Sequence, residues 1–184
     1  MKGGILKGGI LLTAVAFLAP TRALAADITV PVRAISAAGV GEVIGTLRAY
    51  DTRQGLAVKA RVSTLAPGLH GFHVHENPAC GALAPGGQTG AGLAAGGLFD
   101  PDKSGRHEGP HGQGHKGDLA ALQADEKGRA GPAVLMPRLK VADLVGRSIV
   151  IHGGGDNYAD QPAALGGGGA RVACAVIATP KRSR

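Results

Sequence analysis

Residues Gly68 to Glu76 read GLHGFHVHE, and this stretch decides the fold. Phe72 and Val74 alternate with His73 and His75, which is the period of a β-strand. Side chains two apart on a strand project from the same face, so both imidazoles can reach one metal ion. Outward from this stretch, similar short segments recur between turns. Ile28 to Ile35 (ITVPVRAI), Val43 to Tyr50 (VIGTLRAY) and Leu56 to Leu65 (LAVKARVSTL) precede it. Asp51 to Gly55 (DTRQG) reads as the hairpin connection between the second and third. Ser148 to His152 (SIVIH) and Arg171 to Ile177 (RVACAVI) close the set, and Lys140 to Leu144 (KVADL) is consistent with one helical turn. Between the strands lie two long Gly-rich loops, Asn77 to Gly117 and Gly153 to Gly169. Loops of that length in a compact domain are usually functional. The pattern predicts an all-β domain, an antiparallel sandwich or barrel carrying two large loops.

Composition agrees. The chain has 184 residues, of which 32 are Gly and 11 Pro, about 23% together. That content excludes a mostly helical bundle, because an internal Gly costs a helix roughly 1 kcal/mol and a Pro about 3. The 44% apolar share argues against disorder, yet only 3% of residues are aromatic and none is Trp. Such a core is built from many small side chains, which suits short strands.

The chain opens with Lys2 and Lys7, an apolar run from Ile10 to Leu18, then Pro20 and Ala23-Leu24-Ala25. This is the three-part pattern of a secretory signal peptide over residues 1–25, too short an apolar run for a membrane anchor. Cleavage after Ala25 leaves a domain of residues 26–184, and loss of Lys2, Lys7 and Arg22 lowers the formal charge from +7 to +4. No dense basic tract remains outside Lys181-Arg182-Ser183-Arg184, at the end of a tail (178–184) expected to be disordered. Nucleic-acid binding and stable membrane insertion are not expected. A weak pull on small anions is.

Cys80 and Cys174 are the only cysteines. An even count in an exported chain suggests one disulfide, with two free thiols or metal ligation as the alternatives. All seven histidines lie between positions 70 and 152. His152 ends a separate strand and could complete a three-imidazole set with His73 and His75, a set that suits copper or zinc. His107, His111, His115 and Asp118 form a second cluster at steps of four, four and three. Nitrogen ligands plus one carboxylate suit a tetrahedral zinc site.

Five segments in order now carry a resemblance: Gly71 to Glu76 (GFHVHE), Ala94 to Pro101 (AAGGLFDP), Gly114 to Asp118 (GHKGD), Gly153 to Asn157 (GGGDN) and Gly166 to Cys174 (GGGGARVAC). Together they resemble copper–zinc superoxide dismutase in its bacterial periplasmic form, over nearly the whole chain after residue 25. The resemblance implies an eight-stranded Greek-key β-barrel, an architecture related to immunoglobulin-like sandwiches, whose two long loops wall the active site. It implies that His73, His75 and His152 hold copper, and that His107, His115 and Asp118 hold zinc. Asp156 matches the carboxylate that hydrogen-bonds one imidazole of each set, here His73 and His107, and Arg171 matches the guanidinium that receives the superoxide anion. Lys116 can add to that field. Cys80 and Cys174 match a disulfide tethering the first long loop to the barrel. The family includes monomers and dimers, which leaves a homodimer open.

One position departs. Where the resembling family has a histidine bridging the two metals, this chain has Leu98, which can ligate neither. His111 matches no family ligand and is a candidate replacement at zinc, as is a water. The implied reaction is conversion of superoxide to dioxygen and hydrogen peroxide by copper redox cycling, at a rate reduced by Leu98. The alternative is a copper-binding or copper-delivery protein with the same fold and little turnover.

Overall fold

The computed structural model describes residues 26–83 and 86–179; the expected signal segment 1–25 and residues 180–184 of the expected tail lie outside the described residues. Strands β1 (Asp27–Ser36) and β2 (Gly39–Thr52) form a long antiparallel hairpin, and β3 (Gly55–Val62) returns along β2 through Arg53 and Gln54. Strands β4 (Gly68–His70), β5 (Phe72–His75), β6 (Leu122–Ala124) and β7 (Val134–Met136) follow. After one helical turn, α1 (Val141–Leu144), come β8 (Arg147–His152) and β9 (Arg171–Ile177). Seven strands make an antiparallel sheet in the order β5-β8-β9-β1-β2-β3-β7, curled into a half-barrel, and β4 pairs with β6 in a second small sheet. Among the described residues no helix is long and apolar enough to cross a membrane.

The all-β expectation holds, with two differences of detail. The stretch read as one strand from Gly68 to Glu76 is divided at Gly71, so that β4 and β5 join different sheets. Gly71 donates its N–H to the Gly154 carbonyl and accepts from the His152 N–H. A Cβ there would come within 3.3 Å of both His152 and His73, so a larger residue would press on two of the imidazoles that the strand crossing positions. The strands β6 and β7 were not legible in the sequence, because three residues each are too few to display a period. The described residues therefore hold nine strands where the resemblance implied eight.

Alternation in β5 does not separate core from solvent, since all four residues are buried. Phe72 and Val74 join the main core with Leu47, Leu56, Ile149 and Ile151. His73 and His75 face the other way, under the long loops that cover this edge of the sheet. A second, smaller apolar cluster joins Ile35, Val150 and Ala95 to Cys80 and Cys174. The two cysteines form a disulfide with Cα atoms 5.9 Å apart. It ties the first long loop to β9 in the middle of the sheet. The sequence separation is 94 residues, so on the chain-entropy model reduction is expected to cost about 4–5 kcal/mol. Thermal unfolding with and without reductant checks this; an unchanged midpoint would contradict it.

Candidate metal centre

The strands β5 and β8 are adjacent and antiparallel, with His73 opposite Val150 and His75 opposite Ser148. His152, at the end of β8, is brought beside the H-x-H pair by this register, and all three rings are buried. One ring nitrogen of each already has a partner. His75 Nδ1 lies 3.0 Å from the Gly96 carbonyl, His152 Nδ1 lies 3.2 Å from the Gly169 carbonyl, and His73 Nε2 lies 2.8 Å from Oδ2 of Asp156. Each acceptor fixes its tautomer, so the N–H points outward and the remaining lone pair points inward. Those remaining atoms, His73 Nδ1, His75 Nε2 and His152 Nε2, are buried without a hydrogen-bond partner and converge on one point.

A second group adjoins the first. Backbone bonds from Val74 to Gly117 and from Leu119 to Phe72 place Asp118 opposite His73 as a non-hydrogen-bonded pair, whose side chains share a face. His115 and His107 come from the loop before it. His107 Nε2 lies 2.8 Å from Oδ1 of Asp156, leaving Nδ1 for the site. Nδ1 of His107 and Oδ1 of Asp118 stand 2.9 Å apart without a hydrogen-bonding angle. Asp118 spends its other oxygen on the N–H groups of Glu108 and Gly109. Nine buried side-chain nitrogen and oxygen atoms lack a partner among the described residues, and six of them are the inward atoms of these two groups. Unpartnered buried polar atoms are costly. Six converging nitrogen and oxygen atoms in two sets of three are what a pair of cations relieves once His107 gives up its proton, so the residues fit copper and zinc.

Asp156 joins the groups. It accepts from one ring of each, and Gly166 makes room for it. At φ +72° this residue is left-handed, and a Cβ would overlap the Asp156 carboxylate and reach 2.9 Å from His107 Nε2. Burial alone would raise the Asp156 pKa, but bonds from His107, His73 and the Tyr158 N–H outweigh it and hold the carboxyl well below its ordinary range. Burial first, then the Arg171 charge, lowers His75 to about 3. Burial and the neighbouring His73 lower His152 to about 4. Burial would lower His107 as well, yet the Asp118 and Asp156 carboxylates prevail and raise it to about 9. Arg171 is held open beside His75: its Nη1 donates to the Gly92 carbonyl at 2.7 Å and Nη2 to the Gly96 carbonyl at 2.8 Å.

Two histidines stay outside both groups. His111 is exposed and not among the converging side chains. His70 is buried, with Nδ1 2.6 Å from the His152 carbonyl and Nε2 2.8 Å from that of Ala66, so it ties β4 to the end of β8. Leu98 stands opposite His75, flanked by the bonds Glu76 N–H to Gly97 O and Phe99 N–H to Val74 O. That is again a non-hydrogen-bonded pair, which places its side chain on the face of His75. Leu98 is buried yet belongs to neither apolar cluster.

The sequence model of the family described as copper/zinc superoxide dismutase (SODC) matches residues 42–177. The chain belongs to this family. It is 46% identical over 167 residues to superoxide dismutase [Cu-Zn] 2 of Salmonella typhimurium, covering 90% of this chain and 96% of that one. The structure is similar to that of the Cu/Zn superoxide dismutase from Brucella abortus, at TM-score 0.79 and 44% identity over 83% of this chain and 99% of the other. It is similar also to the monomeric copper, zinc superoxide dismutase from Salmonella enterica, at TM-score 0.73 and 46% identity over the same shares. The chain is accordingly a superoxide dismutase, with superoxide as substrate and copper and zinc as its metals.

The raised pKa of His107 makes a prediction for the metal-free protein. A cation entering the His107 group must displace a proton below about pH 9, so zinc affinity is expected to fall about tenfold per pH unit there. His75 and His152 are neutral down to about pH 4 and impose no such cost on copper. Competition titrations between about pH 6 and 9 check the slope; a zinc affinity flat over that range would contradict it.

Proposed function

We propose that His73, His75 and His152 hold copper, that His107, His115 and Asp118 hold zinc, and that Arg171 draws superoxide to the copper side. The observation that carries this reading is the convergence of six buried, unpartnered ligand atoms in two sets of three. Copper in the first set supplies one-electron redox chemistry, and zinc in the second supplies a fixed positive charge. The protein's own residues do the rest. Arg171 offers an N–H fork beside His75, pinned by two carbonyls, and so presents a preorganised charge to an arriving anion. Lys116, expected to add to this field, has its Nζ paired with Asp143 at 3.0 Å, which offsets most of its charge and leaves Arg171 as the main attraction. Asp156 holds His73 and His107 in the tautomers that leave both Nδ1 atoms free.

Leu98 takes the position beside His75 from which the bridging histidine of the resembling family would reach both metals. Without that imidazole the protons delivered to product come from water or another group, and dismutation proceeds at a reduced rate. The copper-delivery alternative is not favoured, because the relatives are dismutases and Arg171 is built into the site. His111 is exposed and outside both converging groups, which favours water over His111 at the zinc position. Residues 1–25 act as a cleaved signal that delivers residues 26–184 to the periplasm, so N-terminal sequencing of periplasmic protein is expected to begin at Ala26 rather than Met1. The monomeric enzyme from Salmonella enterica supports a single chain rather than a homodimer.

Pulse radiolysis of the metal-loaded protein tests the reading. Arg171→Gln is expected to lower the superoxide rate about 10- to 100-fold and flatten its dependence on salt. Leu98→His is expected to raise it at least about tenfold, by restoring a group that can transfer a proton. A wild-type rate no faster than spontaneous decay would overturn the proposal, and an unchanged rate in Leu98→His would overturn the role given to Leu98.

A further inference from the structure

The two metal-ligand sets rest on different kinds of support. The copper set stands on β5 and β8, whose backbones are fixed by sheet pairing. The zinc set stands largely on the irregular loop between Arg106 and Asp118, which has no regular secondary structure. Its ends are joined by the His115 N–H donating to the Arg106 carbonyl, and the His107 N–H is held by Asp160. The outer half of the loop, Gly112 to His115, is gripped from elsewhere. Arg138 lies between β7 and α1, and its guanidinium Nη1 donates to the Gly112 carbonyl at 2.6 Å and to that of Gly114 at 3.2 Å. Its Nη2 donates to Gly114 at 3.1 Å and to the carbonyl of His115 itself. The same His115 carbonyl accepts the Asp118 N–H at 3.3 Å, so the fork touches the backbone link between two ligands.

The base of this fork is rigid. Met136 and Leu139, on either side, are buried in the main core, and the Val141 N–H bonds Asp51 at 2.8 Å. The Lys116–Asp143 pair ties the following segment to the far side of the same loop. Sequence reading assigned Arg138 no role.

We propose that Arg138 is a positioning residue for the zinc half of the centre, holding His115 and Asp118 in ligating geometry that a bridging imidazole at position 98 would otherwise help to fix. This rests on the reading that His107, His115 and Asp118 hold zinc. The contribution is geometric. A fixed positive charge on the backbone of a cation's ligand opposes the cation, so a purely electrostatic role would make Arg138 weaken zinc binding. A planar guanidinium presets its donors across the three carbonyls, whereas a lysine ammonium offers three donors at a single point on a flexible stem and does not preset that geometry.

Zinc and copper affinities are measured by chelator competition on metal-free wild type, Arg138→Gln and Arg138→Lys. The visible bands of cobalt(II) in the zinc position report ligand geometry independently of turnover. Arg138→Gln is expected to weaken zinc 10- to 100-fold, the range found when groups that orient metal ligands are removed. It should also change the cobalt bands while leaving copper affinity within about twofold. Arg138→Lys is expected to fall between Gln and wild type. Zinc bound by wild type and Arg138→Gln equally, or more tightly by the variant, overturns the proposal. So does loss of both metals in parallel with the thermal midpoint, which marks a general structural role. Failure of wild type to bind zinc at all would instead overturn the underlying ligand assignment.

Discussion

Asp156 accepts from a histidine of each ligand group, His73 and His107, at 2.8 Å in both cases. Its two oxygens thereby decide which nitrogen each ring turns inward, and they bind the two halves of the centre into one unit. This role weighs more in a chain with Leu98, because the carboxylate then joins the two halves through their side chains while the His73–Asp118 pairing joins them through the backbone. Neighbouring structure serves it: Gly166 leaves the space, Tyr158 donates a backbone N–H, and the surrounding protein excludes water so that the charge-assisted bonds keep their strength.

The centre also explains the shape of the sheet. Burying four consecutive residues in β5 requires cover on both faces. The core supplies one and the two loops supply the other. The disulfide, the Glu76–Gly97 pairing and the Arg171 fork each fasten the first loop to the strands, and every one of those ties lies close to a ligand or to the face it occupies. Some of the loop glycines are required because the loops approach the strands closely. Gly117 illustrates this: a Cβ there would strike the carbonyl of Val74 and the N–H side of Phe99.

Much of this was legible in the sequence. The period in Phe72 to His75 marked the strand, the end of Ser148 to His152 marked the third imidazole, and the loop histidines with Asp118 marked the second group. What was not legible depended on contacts distant in the chain. The break at Gly71 follows from how near His152 passes, a fact of tertiary structure. The strands β6 and β7 are defined by their partners rather than by a pattern of their own. Arg138 sits in an ordinary Met136-Pro137-Arg138-Leu139 turn, and its meaning lies in carbonyls more than twenty residues away. His111 shares the regular spacing of four but is exposed and stands outside the converging groups, so spacing alone did not separate it from the buried histidines.

The central claim is that two metals occupy two neighbouring groups despite Leu98. Anomalous diffraction from crystals of the metal-loaded protein, collected at the copper and zinc absorption edges, tests it directly. The account predicts copper among His73, His75 and His152, and a separate zinc among His107, His115 and Asp118, with no protein ligand from residue 98. A single metal shared between the groups, an empty second group, or a metal bound through His111 would contradict it.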